Sequence, residues 1–84
     1  MLNYAIIRRN VKGGLNPVNN LIVGNRIREL RKAKKLTLLE ISRGAGISIA
    51  YLSDIERGNR HGSDTVLEKI AELLGVTLKD LEVA

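Results

Sequence analysis

The chain has 84 residues, a formal net charge of +5 and no cysteine, which suits one small domain with a modest core and rules out disulfides or cysteine-held metal as braces. Its one histidine, His61, cannot hold a metal alone, and no cofactor is expected. No run approaches the ~20 apolar residues of a membrane span, and residues 1–11 lack the apolar stretch and cleavage site of an export signal, so a cytoplasmic location and no membrane contact are expected.

Charge is unevenly spread. Residues 1–35 carry nine Lys or Arg against Glu29, a balance of +8, while residues 36–84 carry five against eight acids, a balance of −3. A basic half favours a polyanionic partner, because neutralised phosphates release counterions. The same charges also serve as an ordinary solvated face.

In chain order, Tyr4, Ala5, Ile6, Ile7 and Val11 have strand-like composition, but a lone strand needs docking or dimer pairing to satisfy its backbone. Gly13-Gly14 and Asn16-Pro17-Val18-Asn19-Asn20 punctuate regular structure and read as a linker. The chain therefore divides into an N-terminal extension, 1–20, and a folded domain, 21–84. Val23, Ile27 and Leu30 form an i, i+4, i+7 stripe that predicts a first helix over 20–33, with Arg26, Arg28, Arg31 and Lys32 around it.

Thr37-Leu38-Leu39-Glu40 has the form of a capping box and starts a short second helix, which Gly44-Ala45-Gly46 ends. Ser48 caps a third helix, whose Leu52 and Ile55 point inward and whose end is marked by Gly58-Asn59. Ser63 caps a fourth, with Val66, Leu67, Ile70, Leu73 and Leu74 on a wide apolar face and Gly75 at its end. Thr77-Leu78-Lys79-Asp80 opens a fifth, with Asp80 giving an approximate capping box.

Helical segments at 39–45 and 49–57, joined by a glycine-bearing turn, have the spacing of a helix-turn-helix across 37–57. A short helix pair is a weak signal by itself. The surrounding run is stronger: Gly24-Asn25-Arg26-Ile27-Arg28-Glu29-Leu30-Arg31, Leu36-Thr37, Glu40-Ile41, Ala45-Gly46-Ile47-Ser48, Tyr51-Leu52-Ser53, Ile55-Glu56-Arg57-Gly58 and Ile70-Ala71-Glu72-Leu73-Leu74-Gly75-Val76. Over 21–81 it closely resembles the helix-turn-helix family of phage Cro and cI repressors, the xenobiotic-response-element family.

The resemblance implies an all-α, five-helix, lambda-repressor-like DNA-binding domain in which the third helix reads base edges. The positions that match are Ser48, Ile49, Ala50, Ser53 and Asp54. Serine bonds to several bases, Ile49 and Ala50 suit a thymine methyl, and Asp54 suits a cytosine amino group. The Arg, Gln and Asn side chains that make bidentate base contacts are missing, so DNA shape and dimer spacing are expected to share in recognition.

Phosphate contacts are assigned to Thr37, Arg43, Tyr51, Arg57, Asn59 and Arg60, with Lys32, Lys34 and Lys35 as further candidates. Tyr51 suits a phosphate through its hydroxyl and equally a gap beneath the third helix through its ring. Leu38 stands where many family members place a phosphate-binding Gln, although members resembling the sporulation regulators also carry Leu there. With Leu39 it covers the core edge or meets a protein partner. Arg31 and Glu56 match a family pair that braces the recognition helix. His61 reads as a solvent-facing loop residue without a partner.

These features predict a non-enzymatic transcriptional regulator, by preference a repressor, binding double-stranded DNA as a homodimer on a partly palindromic operator. There is no cysteine nucleophile, histidine pair or phosphate-cradling glycine motif for catalysis. The expected dimer surface is the fourth and fifth helices with Val76, Leu78, Leu81 and Val83, or else residues 1–11. With 84 residues, no ligand-sensing domain is expected. A protein-interaction module of the same fold, such as an antitoxin or bridging factor, is the alternative, and a restriction-modification controller is a third reading.

Overall fold

The computed structural model describes residues 17–82. Among the described residues five helices follow one another: α1 Pro17–Ala33, α2 Leu38–Ala45, α3 Ile49–Glu56, α4 Asp64–Leu74 and α5 Leu78–Glu82. No strand occurs among the described residues. The expected strand near Tyr4 and the dimer residues 1–11 and Val83 lie outside them.

Local capping explains most of the boundaries. Thr37 Oγ1 accepts from the Glu40 N–H at 3.0 Å, and Glu40 Oε1 accepts from the Thr37 N–H at 2.8 Å, a reciprocal box that satisfies two orphan donors of α2. Ser48 and Ser63 cap α3 and α4 by accepting from the N–H groups of Tyr51 and Val66. At the start of α5 the Thr77 and Asp80 bonds run both ways, at 3.0 and 3.1 Å. Aspartate thus closes a full box, better than the approximate one expected from its shorter side chain.

The first helix begins earlier than predicted. Residues 17–20, read as linker, form its opening turn, because proline at the first helical position lacks only an N–H that would be unpaired there anyway and already has a helical φ. Its other end carries a surprise in Lys35, which adopts φ 59. The Lys35 N–H donates to the Lys32 carbonyl and the Leu36 N–H to the Arg31 carbonyl, the bonding of a glycine-type helix stop made here by a lysine.

Ile27, Leu52, Ile55, Leu67, Ile70, Leu74 and Leu81 form a core that is almost wholly closed to solvent, with Ile41, Ala71 and Val23 beside them. Two expectations change. Leu81 is fully buried, because α5 folds its apolar side onto the core, and it is unavailable to a dimer partner. Leu73 is 40% exposed, since it lies on the edge of the α4 face and covers the glycine side of α2 at Gly44 instead of entering the core.

Two glycines decide how the helices meet. Gly46 takes φ 71 and lets the chain turn sharply between α2 and α3. At Gly24 a Cβ would collide with the Ile55 carbonyl and lie 2.6 Å from the Glu56 carbonyl oxygen. Only glycine allows α1 to press this closely against the C-terminal turn of α3.

Candidate nucleic-acid interface

Helix α3 has two unlike sides. Leu52, Ile55 and Glu56 are buried, whereas Ser48, Ile49 and Ala50 are exposed at its first turn, with Ile49 at 44%. Exposing an isoleucine at this level costs hydrophobic stabilisation, yet it leaves a branched apolar surface facing outward from a helix end. Ser53 and Asp54 are half-buried one turn further along. Because residues three and four apart share a helix face, Ile49, Ala50, Ser53 and Asp54 form one contiguous patch.

The Ser48 hydroxyl accepts from Tyr51 N–H at 3.0 Å, so the cap uses its acceptor side and its O–H remains able to donate outward. Thr37 differs. Its hydroxyl both accepts from Glu40 N–H and donates to Glu40 Oε1 at 3.2 Å, and its own N–H is held by the same carboxylate. The capping box therefore consumes the groups that were assigned to phosphate.

Bracing behind the patch is strong. Arg31 Nε donates to Glu56 Oε2 at 2.7 Å and Nη2 to Oε1 at 3.1 Å, while Nη1 reaches the Leu36 carbonyl at 3.0 Å. The two side chains are only 11% and 5% exposed. One guanidinium therefore joins α1, the turn before α2 and the end of α3. Water cannot compete effectively at this burial, so the orientation of α3 is tied to that of α1.

Arg43, Arg57 and Arg60 are exposed, as is the neutral Asn59. The Asp54 carboxylate bonds Arg57 Nη2 at 3.0 Å and faces Arg60 Nε at 3.5 Å. Its backbone carbonyl accepts from the Asn59 and Arg60 N–H groups at 2.8 and 3.3 Å. Tyr51 is half-buried on the core, and the Arg60 guanidinium lies 5.5 Å from its ring centroid, a cation–π distance. The tyrosine thus takes the packing role while positioning an arginine.

Sequence reasoning passed over Arg28. It lines a cleft of about 210 Å³ with Arg31, Leu38, Ser53, Glu56 and Arg57, beside the α2 N-terminus. Its spacing of three residues from Arg31 was the available signal, since that places both on one face of α1. Leu38 packs on the core edge, and Leu39 stays 42% exposed.

His61 also departs from expectation. It is half-buried and its Nδ1 lies 2.9 Å from Asn20 Oδ1, tying the loop after α3 to the first turns of α1. With the amide oxygen as acceptor, the ring nitrogen donates. Residue 20 stood at the junction of the expected linker and first helix, and nothing in the spacing brings it to residue 61.

The described residues hold no group of three or more metal-ligating side chains and no helix long and apolar enough to cross a membrane.

Comparison with known proteins points the same way. The HTH-type transcriptional regulator DdrOP3 of Deinococcus deserti is 45% identical over 56 residues, covering 67% of this chain and 43% of the relative. The chain thus spans less than half of that regulator's length. Among solved structures, the restriction-modification controller protein C.AhdI from Aeromonas hydrophila superposes with a TM-score of 0.72 at 31% identity, covering 76% of this chain and 97% of the controller. SinR, the master regulator for biofilm formation, solved in complex with DNA, gives a TM-score of 0.65 at 38% identity over 70% of this chain and 95% of that one. Residues 27–81 match the helix-turn-helix family HTH_3, and the chain belongs to that family of Cro/cI-type helix-turn-helix proteins.

Proposed function

We propose that this protein is a cytoplasmic, non-catalytic transcriptional repressor that binds double-stranded DNA sequence-specifically as a homodimer. The observation that carries the reading is the α3 surface: Ser48, Ile49 and Ala50 exposed at the N-terminal turn of a helix held from behind by the Arg31–Glu56 pair. A helix N-terminus of this kind enters a major groove with its first residues at base edges. Ile49 and Ala50 meet thymine methyls and Ser48 donates to a base acceptor.

Arg43, Arg57, Asn59 and Arg60 rim this surface and contact phosphates, which fix register without reading sequence. Arg28 joins them from α1. Two copies place their α3 helices ~34 Å apart, one turn of DNA, so the operator is partly palindromic. The α4–α5 edge, where Val76 and Leu78 remain half-buried, supplies the dimer contact. SinR, a relative of similar fold, has been solved with DNA, which supports the reading by similarity.

A gel-shift titration on genomic fragments at several salt concentrations tests it. A discrete complex that weakens steeply as salt rises is expected. Absence of any shift on all fragments, with the protein folded, excludes operator binding. Exposed Leu39 favours a second reading, an interaction module of the same fold such as an antitoxin or bridging factor. SinR has also been solved in complex with a second protein, SinI. Constant-stoichiometry co-purification with another protein would favour that alternative.

A further inference from the structure

Asp54 places a negative charge in the middle of the surface proposed to meet DNA, and this charge is held by the same arginines that rim it. Arg57 and Arg60 converge on its two carboxylate oxygens, at 3.0 Å to Oδ1 and 3.5 Å to Oδ2. Guanidinium groups that grip a carboxylate present a donor geometry that also suits a phosphate. The carboxylate therefore occupies donors that a DNA backbone would otherwise take. These pairs are exposed, with both arginines at about 60%, so they contribute little to folding. Their effect falls on the electrostatic potential of the binding face.

We infer that Asp54 is a specificity gate: it occupies Arg57 and Arg60 and repels the backbone of non-cognate DNA, and it releases them only where a cytosine amino group replaces them as donor to its carboxylate. This rests on the DNA-binding reading above and adds a repulsive element to it. On arbitrary sequence, the carboxylate finds no donor on the bases, keeps the two arginines and faces phosphates, so the complex loses two clamps and gains a like-charge contact. On a site with cytosine opposite Asp54, the N4 amino group donates to the carboxylate. Both arginines then turn to the phosphates. Discrimination comes from weakening the wrong complexes, which suits a helix whose remaining readers, Ser48, Ile49 and Ala50, make no bidentate base contact.

The Asp54 backbone carbonyl, which accepts from Asn59 and Arg60 and shapes the turn after α3, is untouched by side-chain substitution. Asp54→Asn keeps the size of the side chain and removes its charge. The experiment measures affinity of wild type, D54N, and D54N combined with R57A and R60A for a mixed-sequence 30-base-pair duplex, and for duplexes selected by each protein, across a salt series. D54N is expected to bind mixed-sequence duplex about tenfold more tightly at low salt, with the slope of log K against log salt steeper by about one to two. It also weakens the cytosine preference, because a neutral amide oxygen accepts less strongly than a carboxylate, and narrows the ratio of selected to mixed affinity. The triple variant loses the gain.

Unchanged mixed-sequence affinity and slope in D54N, with wild type binding DNA normally, overturns the gate and leaves the DNA-binding reading standing. Failure of every variant to bind any duplex overturns both. A gain that survives removal of Arg57 and Arg60 overturns the role given to those arginines.

Discussion

Glu56 accepts two hydrogen bonds from Arg31 across 25 residues of sequence, at 2.7 and 3.1 Å, with its side chain only 5% exposed. The pair is a buried polar joint between the first helix and the inner side of α3, behind its exposed face. A buried pair owes its importance to what happens when it is broken, since one uncompensated charge then stays in the interior. Glu56→Ala is expected to cost about 3–5 kcal/mol in urea denaturation, most of the stability of a domain this small. Replacing both residues together, Arg31→Met with Glu56→Leu, should recover a large part of that loss. A cost below about 1 kcal/mol for the single variant would place the pair among ordinary surface contacts.

The close approach of α1 to α3 gives a second test. Gly24→Ala forces a methyl group against the Ile55 and Glu56 carbonyls, and backbone cannot yield as a flexible side chain does. A loss of about 3 kcal/mol is expected, at the upper end of overpacking costs, although alanine is the better helix former by roughly 1 kcal/mol. Thermal melting reads the sign directly. A more stable alanine variant would mean that α1 and α3 separate easily at this point.

Lys35 presents the opposite case. A lysine in the left-handed region at φ 59 carries roughly 1–2 kcal/mol of steric cost that glycine avoids. Lys35→Gly is therefore expected to stabilise the fold by about 1 kcal/mol, raising Tm by roughly 4–8 °C. If the lysine contacts phosphate, the same variant weakens DNA binding and flattens its salt slope by about one. An unchanged or lower Tm contradicts the strain, and an unchanged slope contradicts the contact.

Asp80 sets a pH dependence at the start of α5. Hydrogen bonds from the Thr77 backbone N–H and then from its hydroxyl hold the carboxyl below its ordinary 3.8, with the Arg26 charge adding to the effect. A depressed folded value means that the stabilisation is present above 3.8 and is lost as pH falls through the lowered value. An NMR titration should find Asp80 titrating below 3.8, and Thr77→Val should raise it only part of the way because the backbone bond persists. Titration at or above 3.8 in the parent protein would show that the box is open in solution.

What was legible in the sequence is mostly what neighbouring residues decide between themselves. Thr37 with Glu40, Gly46, Ser48 and Ser63 act through hydrogen bonds or torsions within a few residues, so their spacing alone announces the start or end of a helix. The alternation of buried and exposed positions along α3 was equally local. Tertiary placement decided the rest. Leu81 and Leu73 both read as apolar face residues, but the docking angle of α5 buries the first and the edge of α4 exposes the second. Arg57 is an i+3 neighbour of Asp54 at the helix end, a pairing the spacing could have shown, whereas Arg60 reaches Asp54 only after the turn at Gly58 has folded back. His61 found Asn20 because α1 starts at Pro17, where the linker was expected. Arg28 was missed for a similar reason: its cleft exists only once α1 and α3 meet.

The central claim is that the exposed first turn of α3 reads DNA sequence, and selection of bound duplexes from a random pool tests it most directly. Wild-type protein is expected to enrich a partly palindromic motif, and Ile49→Ala to enrich a different one, altered where the isoleucine meets a thymine methyl. A pool that stays random, or a motif identical for wild type and Ile49→Ala, would contradict the assignment of this face as the reading surface.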